Sequence, residues 1–206
     1  MENYCVIFGS NGDVSPRERF DGRDGLILAT VGGFYKAVEH GVLPDAVVGD
    51  FTDGETLDTD EFVVKIERDK ADSALFAAVK VGLRRGCKTF VIYGTSGGLA
   101  PTAESFSALA YLDAHGARGF LVDGETIATV FSDGSLTLPE TAVGTVSLFA
   151  YGGAAEGVTA KGFDGAPVPN ALTAEQPPLP PIIAAGSKCG ATVAVKRGAL
   201  LVVFGR

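Results

Sequence analysis

The chain has 206 residues, 46% of them apolar, with 17 basic and 25 acidic side chains and a formal charge of −8. A pI of about 4.7 argues against a nucleic-acid binder, which usually shows a basic face, and no run reaches the ~18 apolar residues of a membrane-spanning helix. Glycine is abundant, at 28 residues, but has no three-residue period, which excludes collagen.

The opening MENYCVIFGSNGD has neither a basic n-region nor a long apolar core, so no signal peptide is expected. Residues 5–8 and 25–30 are short apolar runs that read as strands. Residues 34–40 read as a helix, and residues 46–48 as a short strand ending in Gly49-Asp50. From Asp72 onward Leu75, Phe76, Val79 and Leu83 recur at helical spacing, and Arg84, Arg85 and Gly86 close that helix. Residues 89–93, β-branched and aromatic, predict a buried strand. Residues 102–115 predict a further helix, capped by Thr102 and stopped by Gly116, and residues 120–123 another strand. His40 and His115 each precede a glycine, which makes them helix C-terminal residues. Strands separated by helices of this length imply a mostly parallel α/β sheet.

After residue 125 the helical period disappears. Residues 127–131, 135–138, 145–150, 157–160, 191–196 and 200–204 are strand-like, with Ser132-Asp133-Gly134 and Lys196-Arg197-Gly198 as turn signals. Residues 174–181 carry four prolines and read as a loop or sheet edge. Charge changes at the same place. Residues 1–125 hold 20 acids and 12 bases, a net of −8, while residues 126–206 hold five of each. Two domains are expected: residues 1–125, an α/β domain with a mostly parallel sheet, and residues 126–206, an all-β sandwich. Cys5, Cys87 and Cys189, 82 and 102 residues apart, form neither a zinc spacing nor a disulfide framework. They suit a reducing compartment, so a cytoplasmic protein is expected.

Ligands of open parallel sheets bind beyond the carboxyl ends of strands. Three such ends carry small or acidic residues: Val31-Gly32-Gly33, Gly49-Asp50-Phe51-Thr52-Asp53, and Gly94-Thr95-Ser96-Gly97-Gly98. Glycines there let backbone N–H groups approach a phosphate, or serve only as tight turns. Gly9-Ser10-Asn11-Gly12 lacks the Gly-Lys-Ser/Thr ending of a Walker A loop. Asp69 and Asp72 open the helix that runs to Arg85. They serve either as its N-cap and N3 residue or, with Asp50, as carboxylates for Mg²⁺. Ser10, Ser73 and Ser96 have no convincing His/Asp partner, and no G-x-S-x-G elbow occurs.

Gly32-Gly33, followed by His40-Gly41-Val42-Leu43-Pro44-Asp45-Ala46-Val47-Val48-Gly49-Asp50-Phe51, resembles the D-G-G … G-x-x-P-D-x-x-I-G-D-F-D-S segment of the thiamine pyrophosphokinase family. Arg68-Asp69-Lys70-Ala71-Asp72 is similar to that family's K-D-x-T-D, and Gly94-Thr95-Ser96-Gly97-Gly98 to the start of its G-x-x-G-G-R-x-D-H. Val146-Ser147-Leu148, Val158-Thr159-Ala160-Lys161-Gly162 and Gly186-Ser187 resemble its S-L, V-T-x-K-G and S-N-E signals, in order over nearly the whole chain.

The resemblance implies a homodimer with sites between subunits that transfers a pyrophosphoryl group from ATP to thiamine, using Mg²⁺ and releasing AMP. It implies that Asp50, Asp69 and Asp72 are catalytic and metal-binding. Gly32, Gly33, Arg68, Gly94, Thr95, Gly97 and Gly98 would then bind nucleotide, and Ser187 thiamine. Several motif positions differ. Val31 stands at the first Asp of D-G-G, and Thr52 and Asp53 at the second Asp and the Ser of G-D-F-D-S. Leu99, Pro101 and Thr102 stand at R-x-D-H, and Lys188 and Cys189 at the Asn and Glu of S-N-E. Two functions follow: a divergent thiamine pyrophosphokinase, or a member without that activity that binds a ligand or partner or acts on another substrate.

Overall fold

The computed structural model describes residues 4–12, 25–51, 63–65, 72–138, 142–165, 167–176, 179, 181–185 and 190–205. The chain divides into two compact units, Met1–Gly124 and Glu125–Arg206.

The first unit contains β1 (Tyr4–Asn11), β2 (Gly25–Thr30), α1 (Val31–Glu39), β3 (Ala46–Gly49), β4 (Val63–Lys65), α2 (Ala74–Arg84), β5 (Thr89–Thr95), α3 (Leu99–Ala114) and β6 (Arg118–Asp123). The strands lie in the order β6-β5-β1-β2-β3-β4, and every neighbouring pair is parallel. That is the sheet expected from alternating strands and helices. Its centre is buried on both faces. Cys5, Val6, Ile7 and Phe8 of β1 are wholly inaccessible, and Phe8 stacks on Tyr93 of β5 at 5.5 Å. A strand covered on both sides reads as a continuous apolar run rather than an alternation.

Local chemistry explains where the helices start, and it corrects three expectations. α1 begins at Val31, three residues before the expected start, because Thr30 caps it by accepting the Gly33 N–H at 3.2 Å. Ser73, not Asp69 or Asp72, is the N-cap of α2, accepting the Phe76 N–H at 3.3 Å. Asp72 therefore precedes the helix, and Asp69 lies outside the described residues. α3 starts at Leu99 with Gly98 at its N-cap position, and Thr102 is already inside it, its hydroxyl donating to the Gly98 carbonyl at 2.7 Å. Pro101 falls in the first turn, where no N–H is needed, so it opens the helix instead of delaying it. His40 and His115 are the C-cap residues of α1 and α3, as read from the sequence.

Cys87 is 3% exposed and lies against the buried Cys5. Both are free thiols. Their mutual hydrogen bond, followed by burial, pushes the Cys5 thiol well above its ordinary range.

The second unit contains β7 (Thr126–Thr137), β8 (Val143–Glu156), β9 (Thr159–Lys161), β10 (Phe163–Asp164), β11 (Ala171–Leu172), β12 (Ile182–Ala185) and β13 (Thr192–Gly205). All pairings are antiparallel, along the path β10-β12-β8-β13-β7, with β11 on β8 and β9 on β13. The all-β character matches the expectation, and the hydrogen bonding runs as one continuous path. Both expected turns are absent. Ser132-Asp133-Gly134 and Lys196-Arg197-Gly198 face each other inside the β7/β13 ladder, where the register jumps from Val195↔Gly134 to Ala199↔Ser132. Asp133 and Gly198 take positive φ, 44° and 87°, so turn residues here build a bulge in two long strands. Residues 174–176, at the start of the proline-rich segment read as a loop or sheet edge, form a turn and bend; 177, 178 and 180 lie outside the described residues.

No helix among the described residues is long and apolar enough to cross a membrane.

Candidate functional site

β1 is the strand at which the sheet changes direction. From it β2, β3 and β4 follow on one side, while β5 and β6 lie on the other. A crevice opens at such a switch point beyond the carboxyl ends of the two diverging strands. A cavity of about 120 Å³ lies there, lined by Gly9, Ser10 and Asn11 of β1, Gly94 and Thr95 of β5, and Thr30, Ser73, Ala74, Leu75, Pro101 and Glu104 from the starts of the three helices.

The strand tails touch closely enough that side chains would not fit. A Cβ on Gly9 would come within 2.4 Å of the Gly94 carbonyl oxygen, and one on Gly12 within 2.3 Å of the Ser96 carbonyl oxygen. Above this floor the lining is hydroxylic. Ser10 Oγ and Thr30 Oγ1 are hydrogen-bonded at 2.9 Å. Ser73, besides capping α2, donates its hydroxyl to Glu104. Ser105, completely buried, shares its hydroxyl proton between the Pro101 carbonyl of its own helix at 2.8 Å and the Thr95 carbonyl at 3.0 Å, which links the end of β5 to α3. Thr95 itself is 5% exposed, and its Oγ1 is the one buried side-chain polar atom without a hydrogen-bond partner among the described residues. A buried hydroxyl without a partner costs roughly 1–3 kcal/mol, a cost that a ligand supplying the missing bond would remove.

The expected site residues divide. Thr95 and Gly94 line the crevice. Gly32 and Gly33 lie in the first turn of α1, and their small size serves packing against β1: a Cβ on Gly33 would meet the Phe8 carbonyl oxygen at 2.0 Å. Gly97 packs against the Gly12 backbone, its would-be Cβ 2.8 Å from that nitrogen, and Gly98 occupies the α3 N-cap position. Arg68, Asp69 and Ser187 lie outside the described residues.

Asp50 is exposed just beyond β3, followed by Phe51 at φ 50°, a left-handed conformation that is a genuine outlier for an aromatic residue. Where the resemblance expects an acid, Val31 instead packs a methyl on β3, its Cγ2 2.4 Å from a Cβ built on Gly49. Asp72 holds Lys80 through both carboxylate oxygens, at 2.6 and 2.7 Å. Neither Asp50 nor Asp72 lines the crevice. Among the described residues no three of His, Cys, Asp and Glu converge as a metal site. With Asp72 committed to Lys80, those residues do not by themselves form a seat for Mg²⁺.

Sequence reasoning missed the polar lining. Ser73 reads only as a nucleophile candidate, Ser10 as that or as part of an incomplete Walker A loop, and Glu104 carries no motif. The available signal was the β1 terminus, Gly9-Ser10-Asn11-Gly12, which lines the crevice because β1 is central.

These features define an open, parallel α/β protein with a crevice at its switch point, followed by an antiparallel β unit. The whole chain has, in particular, the fold of the thiamine pyrophosphokinases. It superposes on the thiamine pyrophosphokinase of Bacillus subtilis with a TM-score of 0.80 at 17% identity, covering 98% of this chain and 99% of that one. The enzyme from Geobacillus thermodenitrificans gives 0.78 at 18%, covering 98% and 97%, and that from Candida albicans 0.71 at 11%, covering 98% and 90%. No protein-family model and no curated protein sequence matches.

Proposed function

We propose that the protein is a nucleotide-dependent transferase of the thiamine pyrophosphokinase type, moving a pyrophosphoryl group from ATP to the hydroxyl of thiamine and releasing AMP. The observation that carries this reading is the switch-point crevice with its unpartnered buried Thr95 hydroxyl, set in a fold shared end to end with such enzymes. In this reading residues 1–125 form the catalytic domain and residues 126–206 a thiamine-binding β-sandwich. Gly94, Thr95, Gly97 and Gly98 carry the nucleotide together with Arg68, Gly32 and Gly33 let α1 lie against β1 beside it, Ser187 faces thiamine, and two subunits complete each site. Asp50 and Asp69 are the acids left to face a Mg²⁺ carried on the triphosphate, since Asp72 would first have to release Lys80. Pyrophosphoryl transfer depends on positioning and charge stabilisation more than on covalent help from the protein.

A melting-curve panel of ATP, AMP, thiamine and thiamine diphosphate, each with and without Mg²⁺, tests binding. AMP release on mixing ATP with thiamine tests turnover. A ligand at 100 times its Kd stabilises by about 2.7 kcal/mol. Thermal silence towards every one of the four would remove the reading.

A second reading rests on its own observation. The Asp72–Lys80 ion pair neutralises a motif acid, as expected of a member that keeps the fold and binds a ligand without the transfer. Mg-ATP stabilisation with no AMP formed would favour it.

A further inference from the structure

The crevice lining has a chemical bias. Among the described residues no lysine, arginine or histidine lines it, and the one charged side chain they bring to it is the Glu104 carboxylate. Glu104 sits on α3 close to the N-terminus of α2, where Ser73 donates a hydroxyl to it while accepting the Phe76 N–H. The helix end that would otherwise offer itself to an external anion thus already faces an internal one. A phosphate has only acceptors to offer at neutral pH. Placed beside Glu104 it would meet like charge, with no cation among the described lining residues to offset it.

The remaining groups ask for something else. An ionised carboxylate only accepts hydrogen bonds, and Ser73 uses part of that capacity. Thr95 Oγ1, buried and unpartnered, needs a group that can both give and take a proton. Ser10 and Thr30 are already bonded to each other. A neutral ligand bearing two adjacent hydroxyls satisfies both demands. Two O–H groups donate to Glu104, and one of the two oxygens accepts from Thr95. The volume agrees. About 120 Å³ holds several waters but lies well below the ~300–1,000 Å³ of a whole small-molecule site. The cavity therefore takes one ring of a ligand, not all of it.

We propose that this crevice is a seat for the vicinal diol of a ribose, with Glu104 and Thr95 as the residues that recognise it, and that the ligand's phosphates lie outside it. The inference rests on the nucleotide reading above and deepens it: it names the part of the nucleotide that this site selects.

The test measures binding of adenosine, 2′-deoxyadenosine and ATP by calorimetry to wild type, Glu104→Gln and Thr95→Val. Glu104→Gln keeps an oxygen for Ser73 and removes the charge. The diol seat predicts that 2′-deoxyadenosine binds at least about tenfold more weakly than adenosine to wild type, and that Glu104→Gln weakens adenosine by about tenfold or more and ATP alongside it. Thr95→Val, which deletes the unpartnered hydroxyl, should melt no lower than wild type without ligand yet bind adenosine more weakly. A Glu104→Gln variant that binds ATP more tightly, or a wild type indifferent to the 2′-hydroxyl, overturns the proposal while leaving nucleotide binding intact. Adenosine binding that depends on Glu104, with no AMP formed from ATP and thiamine, keeps the diol seat and removes the transferase reading. Failure of adenosine and ATP alike to bind removes both.

Discussion

Gly33→Ala separates a glycine that cradles a ligand from one that lets a helix lie on a strand. α1 crosses β1 so closely that a Cβ at position 33 would stand 2.0 Å from the Phe8 carbonyl oxygen, 2.6 Å from its carbon and 3.0 Å from the Gly9 carbonyl oxygen. All three atoms belong to the backbone of the central strand, and residues 5–8 of that strand are wholly buried, so none can swing aside as a side-chain tip could. The helix must lift. Alanine in place of glycine gains about 1 kcal/mol of helix propensity, and forced overpacking against a fixed neighbour typically costs ~1–3 kcal/mol. Contact with backbone this short belongs at or beyond the upper end, so a net loss of about 2 kcal/mol is expected. For a chain of this size that corresponds to a fall in Tm of roughly 4–8 °C.

The assay is thermal and urea unfolding of wild type and variant without any ligand, with Gly153→Ala as control. Gly153 has nothing within 4 Å of its would-be Cβ and should change stability by less than about 0.5 kcal/mol. The damage should also reach the crevice, because the Gly33 N–H bonds Thr30, whose hydroxyl holds Ser10 in the lining. A Gly33→Ala protein as stable as wild type, with only nucleotide binding lost, would refute the packing argument and return Gly33 to the role of a phosphate-facing glycine.

Other outcomes follow from the same geometry. Asp72→Asn breaks a partly exposed ion pair with Lys80 and should cost no more than about 1 kcal/mol by chemical unfolding; if it also abolishes stabilisation by Mg-ATP, Asp72 leaves Lys80 when the nucleotide binds. Ser73→Ala removes the α2 cap and should lower stability by about 1 kcal/mol, read from the urea midpoint at unchanged slope, whereas Ser73→Asn should retain most of it. A homodimer is expected at micromolar concentration, so sedimentation should give about twice the chain mass, 21.2 kDa for one chain; a clean monomer would count against a site shared between subunits.

Much of the first unit was legible in the chain, because its signals are local. Residues 25–30 read as a strand and form one with the same ends, and the spacing of Leu75, Val79 and Leu83 located α2 to within two residues. Acceptors and breakers close to each helix explain its ends. They mislead only where a residue can serve in two places, as at Thr102, which reads as the cap of α3 but lies inside its first turn. In the second unit local signals misled more. Ser132-Asp133-Gly134 has turn chemistry, and only the opposing Lys196-Arg197-Gly198 across the ladder makes it a bulge inside a 12-residue strand. That pairing joins residues some sixty positions apart, and no window of sequence contains it.

The site shows the same division. By itself the sequence determined that small and acidic residues end the strands of a parallel sheet, and its motif order pointed to the fold that the structure has. Only the tertiary structure decided which strand end matters. β1 lies at the switch point because β2 and β5 pair with its opposite edges, and strand order is a property of long-range pairing, not of any one segment. That placement brings Ser10, Ser73, Thr95 and Glu104 to one cavity, leaves Asp72 facing Lys80, and turns Gly33 into the floor under a helix.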